Sequence, residues 1–254
     1  MAFEPDELTT DAFLGGRVML GQPKKGFRAG VDSVLLAAAV GAKPGQGVLE
    51  LGCGAGAAMF CLATRVHSLD IVGVEFQRDY ADLARRNAET NKFGIAVVEA
   101  DIRNLPETLR NRTFDHVMAN PPYYEGSKIT SARDAGRRSA LTEAVELRDW
   151  TEVATRRLAP GGYLTMIQKA DRLPDMLAAL DKRLGSLCVQ PISPRESRKA
   201  ELVILQARKG GKGAFSLRAP LVMHQGPRHE ADKNDYSEEA ENILRHAAPL
   251  NFNN

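Results

Sequence analysis

Short apolar runs alternate with longer amphipathic segments along most of this chain of 254 residues. The short runs are bounded by glycine, proline or charged residues and predict strands, whereas the longer segments repeat apolar residues at helical spacing and predict helices. The predicted strands are 16–21, 47–52, 70–75, 95–100, 114–119, 162–167, 187–192 and 200–207. The predicted helices are 31–40, 55–66, 77–91, 103–110, 141–158 and 171–184.

This alternation predicts an α/β fold, in which a mostly parallel sheet carries helices on both faces. The strands 187–192 and 200–207 follow one another with no clear helix between them. Such a connection predicts an antiparallel hairpin at the edge of the sheet. Parallel strands end at a common edge, where open α/β sheets bind their ligands.

Composition adds few constraints. The net charge of +2 neither indicates nor excludes nucleic-acid binding, because local patches matter more than the sum. The three cysteines form no CxxC pair and no His/Cys cluster, so we expect no metal site and a reducing compartment. The acidic N-terminal residues lack an apolar signal region, and no stretch is long enough to cross a membrane. We therefore expect a cytoplasmic protein.

The sequence ELGCGAG over 50–56 lies where strand 47–52 should turn into helix 55–66. Gly52, Gly54 and Gly56 allow a tight turn and let a large ligand approach the backbone. A dinucleotide could bind there, but the dehydrogenase fingerprint GxGxxG is only partly met. Glu50 precedes this turn and would lie near the methionine end of S-adenosylmethionine if that were the ligand.

Two carboxylates end the next strands. Glu75 ends strand 70–75 and could accept both hydroxyls of a ribose, a feature of NAD and of S-adenosylmethionine sites alike. Asp101 follows strand 95–100 and could accept the amino group of the cofactor's adenine. Because aspartate also favours helix N-caps, Asp101 could instead cap the helix over 103–110.

Strand 114–119 ends in Asn120-Pro121-Pro122-Tyr123. The two prolines stiffen this loop. An amino nitrogen conjugated with a ring is a poor nucleophile. The side-chain oxygen of Asn120 and the backbone carbonyl of Pro121 could accept its two hydrogens and so stabilise the positive charge that grows on nitrogen. Tyr123 could stack on the planar group, which is worth about 1–3 kcal/mol per base. This chemistry requires no metal and no strong base.

These motifs resemble those of class I S-adenosylmethionine-dependent methyltransferases, and NPPY resembles the subgroup that acts on adenine amino nitrogens or glutamine amides. The stretch QPKKGFRAGVDSVLL over 22–36 is similar to the bacterial tRNA1(Val) adenine N6-methyltransferase family, and so is the tail over 216–224 together with Tyr236-Ser237 and the helix that follows. The resemblance implies a Rossmann-like fold with a seven-stranded sheet, S-adenosylmethionine as cofactor and tRNA as substrate. It divides the chain into a small N-terminal segment over 1–45 that covers the cofactor and a methyltransferase domain over 46–254.

By the same resemblance, Phe27, Arg28 and Asp32 would close over the cofactor, with Arg28 pairing with its carboxylate. The chain departs from the family in an arginine-rich loop over 125–140 and a polar expansion over 225–235. Basic residues that converge beside Tyr123 would neutralise phosphates around a flipped-out base. The candidates are Lys128, Arg133, Arg137 and Arg138, then Arg195, Arg198 and Lys199, and finally Arg208, Lys209, Lys212 and Arg218.

Other functions remain open. A protein glutamine N5-methyltransferase acting on a translation factor would use NPPY equally well, but that family usually carries an extra N-terminal helical domain. A small-molecule methyltransferase with an oxygen acceptor would need a base or metal that the sequence does not supply. A non-catalytic binding module would not need an intact Asn120 and Tyr123, and a dehydrogenase leaves NPPY unexplained.

Overall fold

The computed structural model describes residues 3–122, 145–226 and 235–252. Within these ranges the strands are β1 Leu8–Phe13, β2 Val18–Pro23, β3 Gly47–Leu51, β4 Asp70–Glu75, β5 Ala96–Glu99, β6 Phe114–Ala119, β7 Leu158–Lys169, β8 Leu184–Arg195, β9 Leu202–Lys209, β10 Ser216–Leu217 and β11 Leu221–His224. The α-helices are α1 Val31–Ala39, α2 Ala57–Arg65, α3 Arg78–Thr90, α4 Glu107–Arg110, α5 Leu147–Arg157, α6 Leu173–Ala178 and α7 Glu238–His246. Short 3₁₀ turns cover Pro5–Glu7, Leu14–Gly16, Ile102–Asn104 and Ala170–Arg172.

One sheet dominates the described residues. Its strands run in the order β5, β4, β3, β6, β7, β9, β8, and both β10 and β11 pair with β8. Neighbouring strands are parallel except at β9, which is antiparallel to β7 and to β8. The α/β fold with a mostly parallel sheet is therefore confirmed.

The end of the sheet differs in detail from the expectation. The strands β8 and β9 form the predicted antiparallel pair, but β9 lies inside the sheet and β10 and β11 extend its edge, so that nine strands are described instead of seven. Residues 203–207 of β9 are all buried. A strand that is apolar on both faces is stabilised between two neighbours, with both faces covered.

Apolar side chains fill both faces of the sheet. On one face, Met59 and Phe60 of α2 pack with α1 and α7, and on the other, Trp150 of α5 packs with Leu49 and Phe114. Strands β4 and β6 have the predicted bounds. Helix α6 covers only the start of the predicted 171–184, because Asp181 accepts a hydrogen bond from the backbone of Arg183 in a turn that leads directly into β8.

An N-terminal hairpin of β1 and β2 packs on α3. The sequence predicted only part of β2 and missed β1, because β1 is largely polar and none of its residues is buried. The buried Asn87 of α3 accepts a hydrogen bond from the backbone of Gly21 (2.9 Å) and donates to the carbonyls of Gly21 and Ala55, both at 3.0 Å. One side chain thus ties the hairpin to the glycine-rich turn. The domain boundary at residue 45 stays a prediction.

Candidate active site

The ends of β3, β4 and β6 meet at one edge of the sheet. Leu51 of β3 pairs with Val74 of β4 and with Ala119 of β6, so the residues that follow these three positions are neighbours. Those residues are Gly52, Glu75 and Asn120. The register therefore brings together the three motifs that the sequence separates by up to 70 positions.

The glycine-rich turn is shaped largely by internal packing. Gly52, Gly54 and Gly56 have φ values of 65°, 54° and 95°, which side chains rarely adopt. A Cβ at Gly52 would lie 2.6 Å from Cη2 of Trp150, and one at Gly56 would lie 2.4 Å from Cε2 of Phe60. At Gly54 a Cβ would meet only the ring of Phe27, at 3.7 Å. Gly54 is therefore the glycine of this turn that faces the predicted cofactor-covering segment.

Glu75 joins that turn to β4. Its Oε2 accepts a hydrogen bond from the backbone N–H of Gly54 (2.9 Å), and its Oε1 accepts one from Gln77 (2.8 Å). Burial raises the pKa of the Glu75 carboxyl. Because two carboxylate oxygens offer about four acceptor positions, Glu75 keeps capacity for ligand hydroxyls.

The side chain of Glu50, near the end of β3, does not face solvent. Its carboxylate is buried, and Oε2 accepts a hydrogen bond from the backbone N–H of Met59 (3.0 Å) in the first turn of α2. Burial, with a smaller contribution from Glu75, raises the pKa of Glu50 well above its usual value. This contact stabilises the start of α2, and the expected place of Glu50 near the methionine end of the cofactor stays a prediction.

Substituting Glu50→Gln tests this arrangement. A carboxyl whose pKa is raised on folding stabilises the protein below its unfolded pKa and loses that contribution as pH rises through the folded pKa. Glutamine keeps an oxygen for the Met59 N–H and cannot ionise. We expect melting temperatures measured from pH 5 to 8 to fall less with pH in the variant than in the wild type. Equal slopes in the two proteins would contradict a buried, ionisable Glu50.

Asp101 has the geometry of a helix cap. Its Oδ1 accepts the backbone N–H of Arg103 (2.8 Å), and its Oδ2 pairs with Nη2 of the same residue (2.6 Å). The hydrogen bonds from Arg103 lower the pKa of Asp101. The capping alternative thus describes the observed contacts, and an adenine amino group would compete with the Arg103 guanidinium for this carboxylate.

Asn120 presents an unused acceptor. Its Nδ2 donates a hydrogen bond to Oδ2 of Asp32 (2.7 Å). Its Oδ1 is buried and has no hydrogen-bond partner among the described residues. Buried polar atoms are nearly always paired in folded proteins, so an orphaned acceptor at a ligand-binding sheet edge indicates a group that a bound molecule satisfies. Tyr123 lies outside the described residues.

The comparisons with known proteins agree with this geometry. A family model described as a methyltransferase domain matches residues 42–244. The tRNA1(Val) (adenine(37)-N6)-methyltransferase of Porphyromonas gingivalis is 33% identical over 189 residues, which cover 70% of this chain and 73% of the relative. The chain belongs to the class I S-adenosylmethionine-dependent methyltransferases, in the tRNA1(Val) adenine N6-methyltransferase family.

Two further similarities mark the breadth of the methyltransferase fold. A predicted O-methyltransferase of Agrobacterium tumefaciens matches with a TM-score of 0.71 and 26% identity, over 88% of this chain and 100% of that one. The release factor glutamine methyltransferase of Aliivibrio fischeri is 33% identical over 82 residues, only 32% of this chain and 28% of the relative.

A residue that the sequence analysis missed holds the start of the NPPY loop in this methyltransferase. The fully buried Gln168 of β7 donates from Nε2 to the carbonyl of Pro121 (2.8 Å). The Pro121 carbonyl retains a second lone pair for a substrate. Pro122 is exposed. A lone amide within the apolar strand GYLTMIQ was the available signal for Gln168.

Two exposed aromatic rings flank the glycine-rich turn of the methyltransferase. Phe27 is 51% exposed, and its backbone is fixed by the Tyr80 hydroxyl, which accepts from its N–H (2.7 Å) and donates to its carbonyl (3.0 Å). Phe76, directly after Glu75, is 61% exposed and was not singled out from the sequence. Apolar rings held in solvent beside the turn suit the covering of a planar base.

Arg28 is directed away from the turn and into the hairpin. Its guanidinium donates to Asp11 (2.6 Å), Thr9 (2.8 Å) and the carbonyl of Pro23 (2.8 Å). These contacts use three of the five N–H donors of the guanidinium. That role of Arg28 stays a prediction.

The basic residues do not form one surface. The side chain of Arg195 is only 13% exposed and is paired with Asp235 and with the carbonyls of Gln225 and Gly226. A phosphate would have to compete with these partners, and the contact of Arg195 with nucleic acid stays a prediction. Arg198 and Lys199 are exposed after β8 at the same sheet edge as Asn120.

Other cations lie elsewhere or cannot be placed. Arg208 pairs in register with Tyr163 near the start of β7, so it and Lys209 lie toward the opposite end of the sheet from Asn120. Arg218 contacts the C-terminal segment through the carbonyl of Asn251. Four candidates fall outside the described residues: Lys128, Arg133, Arg137 and Arg138.

Within the described ranges, no group of three or more His, Cys, Asp or Glu side chains could hold a metal ion. The same ranges contain no helix of the length and apolarity that a bilayer span requires. His116 lies in the core, where burial lowers its pKa to about 4, so it is neutral at physiological pH and packs against Tyr163.

Proposed function

We propose that this methyltransferase transfers the methyl group of S-adenosylmethionine to the N6 amino group of an adenine in tRNA. The observation that carries the proposal is the buried Oδ1 of Asn120, which has no hydrogen-bond partner in the part of the chain that the structure describes and lies at the edge where open α/β sheets bind their ligands. An acceptor at this position can accept a hydrogen bond from an N–H of an amino group. It could also accept a hydrogen bond from a hydroxyl group, but an amide oxygen is too weak a base to remove the proton that an oxygen acceptor must lose.

The described residues fit the cofactor. S-adenosylmethionine, when bound, supplies an electrophilic methyl group on a sulfonium. Glu75 would accept the ribose hydroxyls with its remaining lone pairs, beside Gly54. Phe27 and Phe76 would cover the adenine and exclude water. The further roles of Asp32, Glu50, Asp101 and Arg28 belong to the same proposal.

The protein's part in the reaction is to hold and polarise the acceptor nitrogen. Asn120 Oδ1 and the Pro121 carbonyl each accept a hydrogen bond from one N–H of the amine. These two bonds turn the nitrogen lone pair toward the methyl group and stabilise the positive charge that develops on the nitrogen. Removing one preorganised hydrogen-bond partner of this kind typically costs about 2.7–4 kcal/mol of transition-state stabilisation. Because the methylated aminium is a strong acid, water can take its proton.

The choice of tRNA rests on the relatives and on charge. The P. gingivalis relative is named for adenine 37 of tRNA1(Val), and it aligns with 70% of this chain. Arg198 and Lys199 follow the end of β8, which lies three strands from β6 at the same edge of the sheet, and both are exposed there, where they could contact phosphates of a long substrate. Four further cations of the segment 123–144 follow the reactive motif in sequence. A tRNA substrate would place the enzyme in the cytoplasm.

A transfer assay tests the proposal. Methyl-labelled S-adenosylmethionine is incubated with the enzyme and, in parallel, with total bacterial tRNA, rRNA or protein, and the products are hydrolysed and analysed. Label in N6-methyladenosine from tRNA supports the proposal, and the labelled fragment then maps the position. Label in glutamine from the protein arm would replace it with glutamine N5-methylation, which the same acceptors would serve. Label in rRNA alone would overturn the tRNA substrate.

Substituting Glu75→Gln tests the cofactor site. The variant keeps a side chain of the same size but loses its charge and one acceptor oxygen. We expect the Kd for S-adenosylmethionine to rise about tenfold or more by calorimetry, since hydrogen bonds to charged groups contribute about 1.5–3 kcal/mol. The control is Glu99→Gln, which changes an exposed carboxylate paired in register with Glu75 on β5. Equal affinities in both variants would remove Glu75 from the site.

A further inference from the structure

Asp32 and Asn120 are 88 positions apart in sequence, and their side chains meet through one hydrogen bond of 2.7 Å. We propose that Asp32 is a positioning residue which determines that the oxygen, and not the nitrogen, of the Asn120 amide faces the acceptor amine. This role differs from contact with the cofactor, and it rests on the proposed transfer to a planar amino nitrogen.

An asparagine amide needs such a constraint. Its two ends have nearly the same size, but one accepts hydrogen bonds and the other donates them. With the oxygen toward the substrate, the amide accepts an N–H of the amine. With the nitrogen toward the substrate, the N–H groups of the amide would face the N–H groups of the amine, and no hydrogen bond could form. The amide orientation alone therefore decides whether Asn120 promotes or opposes the reaction.

An ionised carboxylate imposes one orientation, because it can accept hydrogen bonds but cannot donate them. Only the Nδ2 end of Asn120 can satisfy Asp32, and this leaves Oδ1 on the other side, where it is buried and unpartnered among the described residues. The reverse orientation would set an amide oxygen against a carboxylate oxygen and would leave the Nδ2 hydrogens without this acceptor. Charge-assisted hydrogen bonds are roughly twice as strong as neutral ones.

Asp32 is itself held in place. It lies in the first turn of α1, and its Oδ1 accepts the backbone N–H groups of Gly30 (3.2 Å) and Ser33 (3.0 Å). Those bonds leave the other oxygen, Oδ2, directed at Asn120. The start of a largely buried helix thus sets the orientation of an amide on a different strand end.

Gln168 supplies a parallel constraint on the neighbouring acceptor. Its Oε1 accepts the backbone N–H of Lys169 (3.0 Å), so its Nε2 is the end that faces the Pro121 carbonyl. The two acceptors of the reactive loop are therefore positioned by separate side chains, and a change at Asp32 leaves the Pro121 contact in place.

A reciprocal exchange tests the proposal with Asp32→Asn, Asn120→Asp and the double variant. Asp32→Asn keeps an oxygen for the α1 backbone but permits either orientation of the Asn120 amide. Asn120→Asp sets two carboxylates against each other. In the double variant, the amide at position 32 can donate to the carboxylate at position 120, whose second oxygen then faces the amine as an acceptor.

We expect kcat to fall about ten- to a hundredfold in Asp32→Asn and further in Asn120→Asp, with coupling in the double variant that restores at least about tenfold over Asn120→Asp. Any rise in the Kd for S-adenosylmethionine in Asp32→Asn, which would report the predicted contact of Asp32 with the cofactor, should be smaller than the loss of kcat. The control is Glu107→Gln, which removes a charge from the first turn of α4 and should leave kcat unchanged.

Three results would overturn the role of Asp32: wild-type kcat in Asp32→Asn, multiplicative losses in the double variant, or a loss in Asp32→Asn confined to cofactor affinity. The assay uses whichever acceptor the wild-type enzyme labels. Labelling of a protein amide would thus overturn the proposed tRNA substrate, while the comparison of variants still decides the role of Asp32.

Discussion

Replacing Asn120 by alanine should lower kcat for methyl transfer by about a hundred- to a thousandfold, as expected for the loss of one preorganised hydrogen-bond partner of the transition state. The variant removes Oδ1, the buried acceptor that has no partner within the described ranges, and also releases Asp32 from its contact. Because the Glu75 contacts do not involve Asn120, the Kd for S-adenosylmethionine should change little.

Single-turnover transfer and calorimetry separate these two quantities. Asn111→Ala is the matched control, since it truncates an exposed asparagine at the end of α4, away from the sheet edge. Turnover at the wild-type rate in Asn120→Ala would defeat the proposed mechanism. A loss of cofactor binding equal to the loss of turnover would assign Asn120 to the cofactor instead of the acceptor.

Replacing Gly52 by alanine should lower the free energy of unfolding by about 2–5 kcal/mol. The backbone has φ of 65°, where a side chain costs about 1–2 kcal/mol, and the new Cβ would lie 2.6 Å from Trp150, which adds an overpacking cost of about 1–3 kcal/mol. Trp150 is buried in the core beneath the turn and has little room to move. Urea unfolding at neutral pH measures the effect.

Gly45→Ala provides the control for that experiment. Gly45 has φ of 86°, but no atom lies within 4 Å of the position of an added Cβ. It should therefore show the backbone cost alone, and the difference between the two variants isolates the collision with Trp150. Equal destabilisation by both substitutions would show that Trp150 moves aside at no cost in stability. Gly52 would then be needed only for its backbone conformation.

The positions of the main strands follow from local pattern. Strands β4 and β6 have the predicted bounds because each is a short apolar run with a polar or turn-forming residue at its end. The hairpin strand β1 was missed because its polar residues pair with β2 instead of entering a core. The interior place of β9 was also missed, since the order of strands in a sheet depends on contacts that a local window does not contain.

The candidate site divides in the same way. That Glu75 and Asn120 would share an edge with the glycine-rich turn was determined by sequence, because parallel strands that end in these residues must end at a common edge. The NPPY motif was equally visible, because it depends on residue type and adjacency, and the chemistry expected of it stays a prediction. The role of Asp101 stayed ambiguous, because an aspartate that follows a strand is equally suited to cap a helix and to bind a ligand.

Only the tertiary structure decided which partners the polar atoms have. Asp32 meets Asn120, Gln168 meets Pro121 and Arg195 meets Asp235 across 88, 47 and 40 positions, respectively. A hydrogen bond is directional and extends about 3 Å, so its existence depends on the packing of whole elements and leaves no periodic trace in sequence. The sequence by itself determined the fold class and the position of the NPPY motif. The packed structure decided that the Asn120 oxygen has no hydrogen-bond partner among the described residues and that Arg195 is paired with Asp235.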